Sequence, residues 1–324
     1  MNKDLYVLKF TPILKEKVWG GSKLQHVLNK NSKSHNTGES WEISDVEGDL
    51  SVVAEGELAG KTLKSLIEEY KGALVGEKTY KQHGSKFPLL IKFIDAAEAL
   101  SIQLHPNDEV AQERHNSFGK TEMWYIMQSD EGAEIILGFK EAVSKKEYQD
   151  LVKEGRLANA LNTEKSKPGD AYFIKAGLVH AIGAGILLAE IQQNSDITYR
   201  IYDWDRVSDT GQHRDLHTEE ALDCIDLSDS KDFLVDYKLE ENKSNTLVHD
   251  TYFNTDILKV NGKLDRNYQN LDSFVILMGV EGDSKVKYDQ GIVDLKYGET
   301  LLVPSSIQNI SILGKNSKIL EVSV

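Results

Sequence analysis

Apolar positions along the chain fall mostly in short runs, or alternate with polar ones, between Gly, Asp and Asn residues. On this pattern segments 89–94, 122–127, 133–137, 171–174, 186–191 and 198–202 read as strands, and so do 273–278, 301–303 and 319–322. Many short strands without interleaved helices point to barrels or sandwiches and away from a parallel α/β sheet. Helical periodicity is confined to three places. Thr62 can cap a helix whose Leu63, Leu66, Ile67 and Tyr70 share one face, over about 62–72. Ser144 and Glu147 form a capping box ahead of Tyr148, Leu151 and Val152, with Gly155 as a stop signal, within about 144–162. Thr218 can cap a third helix through Ala221 and Leu222, over about 218–226. Residues 240–247 are the most polar stretch and the predicted linker, dividing the chain into 1–240 and 248–324.

One internal repeat is present. Gly169-Asp-Ala-Tyr-Phe-Ile-Lys-Ala-Gly-Leu-Val-His180 has a counterpart in Gly298-Glu-Thr-Leu-Leu-Val-Pro-Ser-Ser-Ile-Gln-Asn309. Each copy runs Gly, acidic residue, apolar-rich strand and small-residue turn, then a polar residue 11 positions after the Gly. The spacing resembles the second signature of the cupin barrel, where a strand, a Pro-x-Gly turn and a metal-ligating His follow one another. The first copy has Lys175 where Pro is usual. The second keeps Pro304 but carries Asn309 at the His position. The expectation is a mainly β protein of two cupin-type, jelly-roll barrels with a few short packing helices. Residues 1–240 would hold the metal and 248–324 would hold none, with N-terminal strands free to join the second unit.

The metal expectation rests on three residues. Segment 101–105 alternates, so Gln103 and His105 point to the same face of a strand. Glu122 opens a strand 17 residues later, and His180 lies 58 residues beyond that, at the end of the repeat. Two imidazoles and one carboxylate, with Gln103 as an added amide oxygen, suit Zn²⁺, with Mn²⁺, Fe²⁺ and Co²⁺ as rivals. Two His and one carboxylate also describe the iron oxygenases. His26, His35, His83, His115, His213, His217 and His249 sit in polar surroundings and read as surface residues.

Charge and cysteine content narrow the field. The chain of 324 residues has 38 Lys and Arg against 52 Asp and Glu, a net charge of -14, with no basic cluster. Nucleic acid is therefore excluded as an expected partner, because phosphate backbones require clustered cations. A small phosphorylated substrate needs only a few local cations. Cys224 is the only cysteine, which excludes an internal disulfide and a Cys-rich zinc site and fits a reducing compartment. The opening residues carry no apolar signal core, and no run approaches the ~20 apolar residues of a membrane span. A cytoplasmic protein without a membrane partner is expected.

Several segments together resemble one family, the short bacterial form of type I mannose-6-phosphate isomerase. They are Val-Trp-Gly-Gly at 18–21, Gly-Glu-Ser-Trp-Glu at 38–42 and Pro-Leu-Leu-Ile-Lys-Phe-Ile-Asp at 88–95. Leu-Ser-Ile-Gln-Leu-His-Pro-Asn at 100–107, Gly-Lys-Thr-Glu-Met-Trp-Tyr at 119–125 and a Ser-Asp-x-x-x-Arg run within 190–203 complete the set. The resemblance implies a zinc enzyme of two cupin units that interconverts mannose 6-phosphate and fructose 6-phosphate, as a monomer or homodimer. It carries the metal onto Gln103, His105, Glu122 and His180, and the active-site arginine onto Arg200. Lys92, Ser101, Lys120, Glu190 and Arg206 match pocket positions. Trp19 is a further candidate substrate contact, because aromatic walls stack on sugars; Trp41 and Trp124 read as core. The long helical insertion of the eukaryotic forms is missing.

An aldose–ketose isomerase moves a proton between C2 and C1 through an enediol. Lys120 lies two residues before Glu122, so alternation puts both on one face, where the ammonium can offset enediolate charge or meet the phosphate. Arg200 offers a fork suited to phosphate or vicinal oxygens. Glu190, Lys120 and a water at the metal are the candidate proton carriers. Two rival readings are a non-catalytic sugar-phosphate-binding cupin and an iron-dependent cupin oxygenase. Lys120 beside Glu122, together with Arg200, argues against both.

Overall fold

Strands dominate the computed structural model, which describes residues 5–207 and 211–324, and most of them gather into three antiparallel sheets. A six-stranded sheet runs in the order Ile13–Gly21, Thr37–Ile43, Leu89–Ala96, Ile186–Gln193, Glu122–Ser129 and Ala171–Ile174. Its two central strands, Leu89–Ala96 and Ile186–Gln193, are buried along their whole length. That is why they read as near-continuous apolar runs and not as alternation. A five-stranded sheet faces it, in the order Tyr199–Tyr202, Ile102–Leu104, His180–Ile182, Glu134–Phe139 and Leu161–Lys165.

The six-stranded sheet sorts its side chains by parity. Ile94, Trp124, Ile126 and Leu188 point toward the five-stranded sheet and pack with Leu137 and Ile182. Leu89, Ile91, Phe93, Ala189 and Ile191 point the other way. There they share a core with Leu66 and Ile67 of the helix Leu63–Tyr70 and with Ile257, Phe274, Ile276 and Leu320 of the third sheet. That third sheet has seven strands. Ser244–His249, Asn254–Asn267, Asn309–Ser323, Val275–Glu281 and Thr300–Val303 follow in order, and the hairpin Ser284–Tyr288 with Gly291–Leu295 joins Asn309–Ser323. Its interior is filled by Leu258, Val260, Leu277, Val286, Leu301 and Ile312. The start of the chain returns to this sheet, where Leu8 exchanges backbone hydrogen bonds with Leu302 (2.8 and 2.9 Å) and Val7 enters the same core.

The fold is mainly β, as the pattern implied, with cupin-type sheets set face to face instead of closing into continuous barrels. The two copies of the repeat are one strand–turn–strand unit used twice. Gly169 and Gly298 both have positive φ (95° and 79°), strands Ala171–Ile174 and Thr300–Val303 follow, and His180 and Asn309 each open the next strand. The capping box at Ser144 is present, but its helix is Lys145–Lys153 only; Leu157–Ala160 is a separate turn, and Leu161 already starts a strand. Thr62 caps Leu63–Tyr70 as expected, accepting from the Ser65 amide at 3.2 Å. Thr218 does not cap a helix. It is the first residue of a single turn, Thr218–Ala221, with His217 in the cap position and no side-chain cap bond.

The expected linker at 240–247 also needs correction, because Ser244–His249 pairs with Asn254–Asn267. The polar side chains that made it look like a linker bond to the backbone: Asn245 accepts from the Glu240 amide at 2.8 Å and donates to the Ile257 carbonyl at 3.1 Å. Among the described residues no helix is long and apolar enough to cross a membrane.

Candidate active site

Strand register assembles the site. In the six-stranded sheet Trp41 stands opposite Lys92, Lys92 opposite Glu190, and Glu190 opposite Trp124, so four residues from distant segments form one row. In the five-stranded sheet Arg200 stands opposite Gln103, and Gln103 opposite His180. The two rows face each other across a cleft of about 670 Å³, its open mouth included. Trp19, Ser101, Lys120, Lys17, Glu39, Asp196, Thr198 and Arg214 complete its polar and aromatic lining.

At the base of the cleft His105, Glu122 and His180 bring one donor atom each to within 4.8 Å of one another, and each side chain is 1% exposed. The His105 Nδ1 lies 2.8 Å from the Ile197 carbonyl, and the His180 Nδ1 lies 2.9 Å from the Leu178 carbonyl. A carbonyl only accepts, so each Nδ1 carries the proton and each Nε2 keeps its lone pair. Those Nε2 atoms point at Glu122, 3.5 and 3.6 Å from its oxygens. Burial pushes the His180 imidazole down to about 4, and burial with Lys120 nearby holds His105 well below its ordinary range, so both rings are neutral. The His180 Nε2 has no hydrogen-bond partner, a costly state for a buried polar atom. Two neutral nitrogen donors and a carboxylate converging in a dry spot fit a divalent metal ion.

Lys120 reaches the same spot, its Nζ 3.0 Å from both the His105 Nε2 and the Glu122 Oε2. Burial pushes the Glu122 carboxyl up, and Lys120 pulls it back in part. Glu190 accepts from the Trp124 indole at 3.0 Å and sits 3.1 Å from Lys92 Nζ. Burial penalises its charge, but Lys92 and Lys120 outweigh that and hold the carboxyl below its usual range. Lys92 is buried too, and Glu190 and Glu39 more than offset the penalty.

The other expected residues divide. Arg200 lines the cleft, with Nε donating to the Ser101 hydroxyl (3.3 Å) and Nη1 to the Asp215 carbonyl (3.0 Å). Gln103 lies beside His180 and accepts from Ser101 at 3.2 Å. Trp19, Lys92 and Ser101 are on the wall. Arg206 is not among the lining residues. It donates to the Ala99 carbonyl (2.7 Å) and pairs with Asp203 (3.0 Å), while Arg214, also paired with Asp203 (2.7 Å), takes a place on the cleft wall. Sequence reasoning missed Lys17, Glu39, Asp196, Thr198 and Arg214, and left Trp41 and Trp124 in the core. Alternation held the signal for two of them: Lys17 is two residues from Trp19, and Glu39 is two from Trp41.

Fold and cleft together define a cupin protein with a charged, aromatic-walled pocket above a buried donor set. A model of the type I phosphomannose isomerase catalytic domain matches residues 7–164, and one of the mannose-6-phosphate isomerase cupin domain matches residues 243–323. The putative mannose-6-phosphate isomerase YvyI of Bacillus subtilis (strain 168) is 37% identical over 308 residues, covering 94% of this chain and 95% of that protein. The mannose-6-phosphate isomerase ManA of the same organism is 34% identical over 310 residues, 95% and 96% of the two chains. A crystal structure of the mannose 6-phosphate isomerase from Bacillus subtilis superimposes with a TM-score of 0.90 at 35% identity, covering 99% of this chain and all of that one. The chain belongs to the type I mannose-6-phosphate isomerase family and is an enzyme of that activity.

Proposed function

We propose that the enzyme interconverts D-mannose 6-phosphate and D-fructose 6-phosphate through an enediol, with a single zinc ion held by His105, Glu122 and His180 and approached by Gln103. The observation that carries this reading is the pair of neutral, buried Nε2 atoms aimed at Glu122 at the base of the cleft. Bound there, zinc would supply the positive charge that stabilises developing charge on the C1 and C2 oxygens.

The chain's own residues do the rest. Glu190, kept ionised by Lys92 and Lys120, takes the proton from one carbon and returns it to the other. Lys120 adds its ammonium next to the donor set, where it favours the enediolate over the neutral sugar. Arg200, steadied by Ser101, binds the anionic end of the substrate or the enediolate oxygens with a fixed fork. Trp19 and Trp124 wall the sugar, Trp124 also holding Glu190. Lys92 acts on the substrate through Glu190, and Arg206 pairs with Asp203, which also holds Arg214 of the cleft wall. The single Cys224 and a phosphorylated substrate fit action in the cytoplasm.

The test is direct. Purified protein given mannose 6-phosphate should form fructose 6-phosphate, and metal analysis should find about one divalent ion per chain. A chelator should abolish turnover, and zinc should restore it better than manganese, iron or cobalt. Turnover that persists after complete metal removal would overturn the metal assignment.

A further inference from the structure

The short segment that delivers Lys120 is held from three directions. The Lys120 amide donates to the Pro106 carbonyl at 3.1 Å. On one side, Gly119 presses on the chain at Asn107 and Asp108. A Cβ at 119 would come within 2.6 Å of that backbone, so only Gly fits. The Gly119 amide donates to Asp108 Oδ1 at 2.8 Å. On the other side, Gln193 clasps Thr121: its side-chain oxygen accepts from the Thr121 backbone amide at 2.9 Å, and its backbone amide donates to the Thr121 carbonyl at 3.1 Å. The Gln193 Nε2 donates to the same Asp108 Oδ1 at 2.9 Å, which closes the clasp. The remaining Asp108 oxygen, Oδ2, accepts from the hydroxyl of Tyr252 at 2.8 Å. Tyr252 lies in the turn between Ser244–His249 and Asn254–Asn267, in the sheet without a donor set.

We propose that Asp108, Gln193 and Tyr252 are positioning residues that lock the Lys120 ammonium over the donor set, and that the C-terminal unit contributes to catalysis by bracing this clasp through Tyr252. The inference rests on the proposed role of Lys120. None of the three residues touches the substrate cleft; each acts through residues 119–121. Asp108 serves two donors with one oxygen and the tether with the other, so it is the hub. Asp108 and Tyr252 border an open groove between the two units. Water can enter there, so the tether is worth less than the hub.

The experiment is a double-mutant cycle on the zinc-loaded full-length enzyme, reading kcat, KM, bound metal and melting temperature. Asp108→Ala should lower kcat about 10- to 50-fold with KM changed less than about threefold, because Lys120 acts in the transition state. Tyr252→Phe, which removes a single oxygen and folds, should lower kcat about three- to tenfold. Asp108→Asn keeps an acceptor for Gly119 and Gln193 and should recover most of the loss. Bound metal should stay at the parent level in all three variants. In a Lys120→Met background, Asp108→Ala should cost less than about twofold further, since its effect runs through Lys120.

An Asp108→Ala enzyme with parental kcat beside a crippled Lys120→Met would overturn the inference and leave the role of Lys120 standing. The same loss in both backgrounds, or metal lost in step with kcat, would also overturn it, because the clasp would then serve the fold or Glu122. Parental activity in Lys120→Met would remove the role of Lys120 and the inference with it.

Discussion

The two strand–turn–strand units, 169–180 and 298–309, share a backbone plan and differ in what their sheets enclose. In the first, His180 opens a strand with its side chain buried against Trp124 (ring centroids 5.4 Å apart) and joins a donor set. In the second, Asn309 occupies the same offset, is exposed, and accepts a hydrogen bond from Asn267 at 2.9 Å. The interior of the first unit gives up apolar packing for Lys92, Glu190, Lys120 and Gln103. The interior of the second is mainly apolar, with Leu277, Leu301 and Ile312 at 0% exposure, and the charge it buries, Glu321, is tied to Arg266 and Tyr268. One plan thus serves two ends. Where inward positions are mainly aliphatic, the unit is a stabilising block. Where inward positions on facing rows are charged, burial and pairing tune them for chemistry.

Three substitutions in the first unit sharpen this contrast. The largest effect is expected from His180→Ala, which removes a neutral nitrogen donor from the base of the cleft. Bound metal should be lost, and kcat should fall about 10³-fold or more. Metal analysis and turnover on the same preparation check this; an unchanged metal content would break the assignment. Arg200→Ala comes next. It should fold and keep its metal, yet lose roughly 2–4 kcal/mol of transition-state stabilisation, or about 30- to 1000-fold. A fall in kcat alone places Arg200 on the enediolate, and a rise in KM alone places it on the phosphate. Arg200→Lys should rescue poorly, because a point charge does not reproduce the fork.

Lys92→Met has a smaller effect, and its sign is fixed by burial. Glu190 is disfavoured as an anion by burial and restored by Lys92 and Lys120. Without Lys92 the burial penalty is less opposed, and the carboxyl pKa rises toward neutrality. The acid limb of kcat/KM should therefore move to higher pH, with activity lost more at pH 5 than at pH 8. A pH–rate profile with an unmoved acid limb would show that Glu190 is not the group that must be ionised.

Local pattern revealed the elements, and pairing revealed the site. Ala171–Ile174 was legible to the residue because Gly169 and the small-residue turn bound it on both sides. Leu89–Ala96 was legible because both its faces are buried. The donor set was legible through the alternation of Gln103 with His105, the repeat ending at His180, and the family likeness of the flanking segments. The row Trp41–Lys92–Glu190–Trp124 was not, since it depends on registers between strands far apart in the chain. The choice between Arg206 and Arg214 was equally hidden, because both compete for Asp203 and only the folded loop decides which reaches the cleft. The helix Asp108–His115 was overlooked although Asn107 caps it and Asp108 and Glu109 fill its first turn. It buries only Ala111, so its apolar periodicity is faint.

The smallest expected effect tests whether the offset alone makes a ligand. Asn309→His restores the missing histidine of the second copy at the equivalent place in the unit. If sequence position sufficed, the variant would bind a second metal ion. The surroundings argue otherwise. Asn309 is exposed, so an imidazole there stays hydrated and is not held in one tautomer by a buried carbonyl as His180 is. Of the nearby carboxylates, Asp265 already pairs with Lys263 at 2.8 Å and accepts from Ser311 at 2.6 Å, and Asp289 is exposed. Behind them the core is largely aliphatic, and its buried carboxylate, Glu321, is already taken by Arg266 (3.0 Å) and Tyr268 (2.6 Å). Asn309→His should leave the metal content at the parent's value and kcat unchanged. Stability should move by less than about 0.5 kcal/mol, as expected for an exposed site that loses one side-chain hydrogen bond. Two ions per chain in the variant would show that the strand–turn–strand frame carries the metal site by itself, and that the second unit lost it through one residue and not through the filling of its interior.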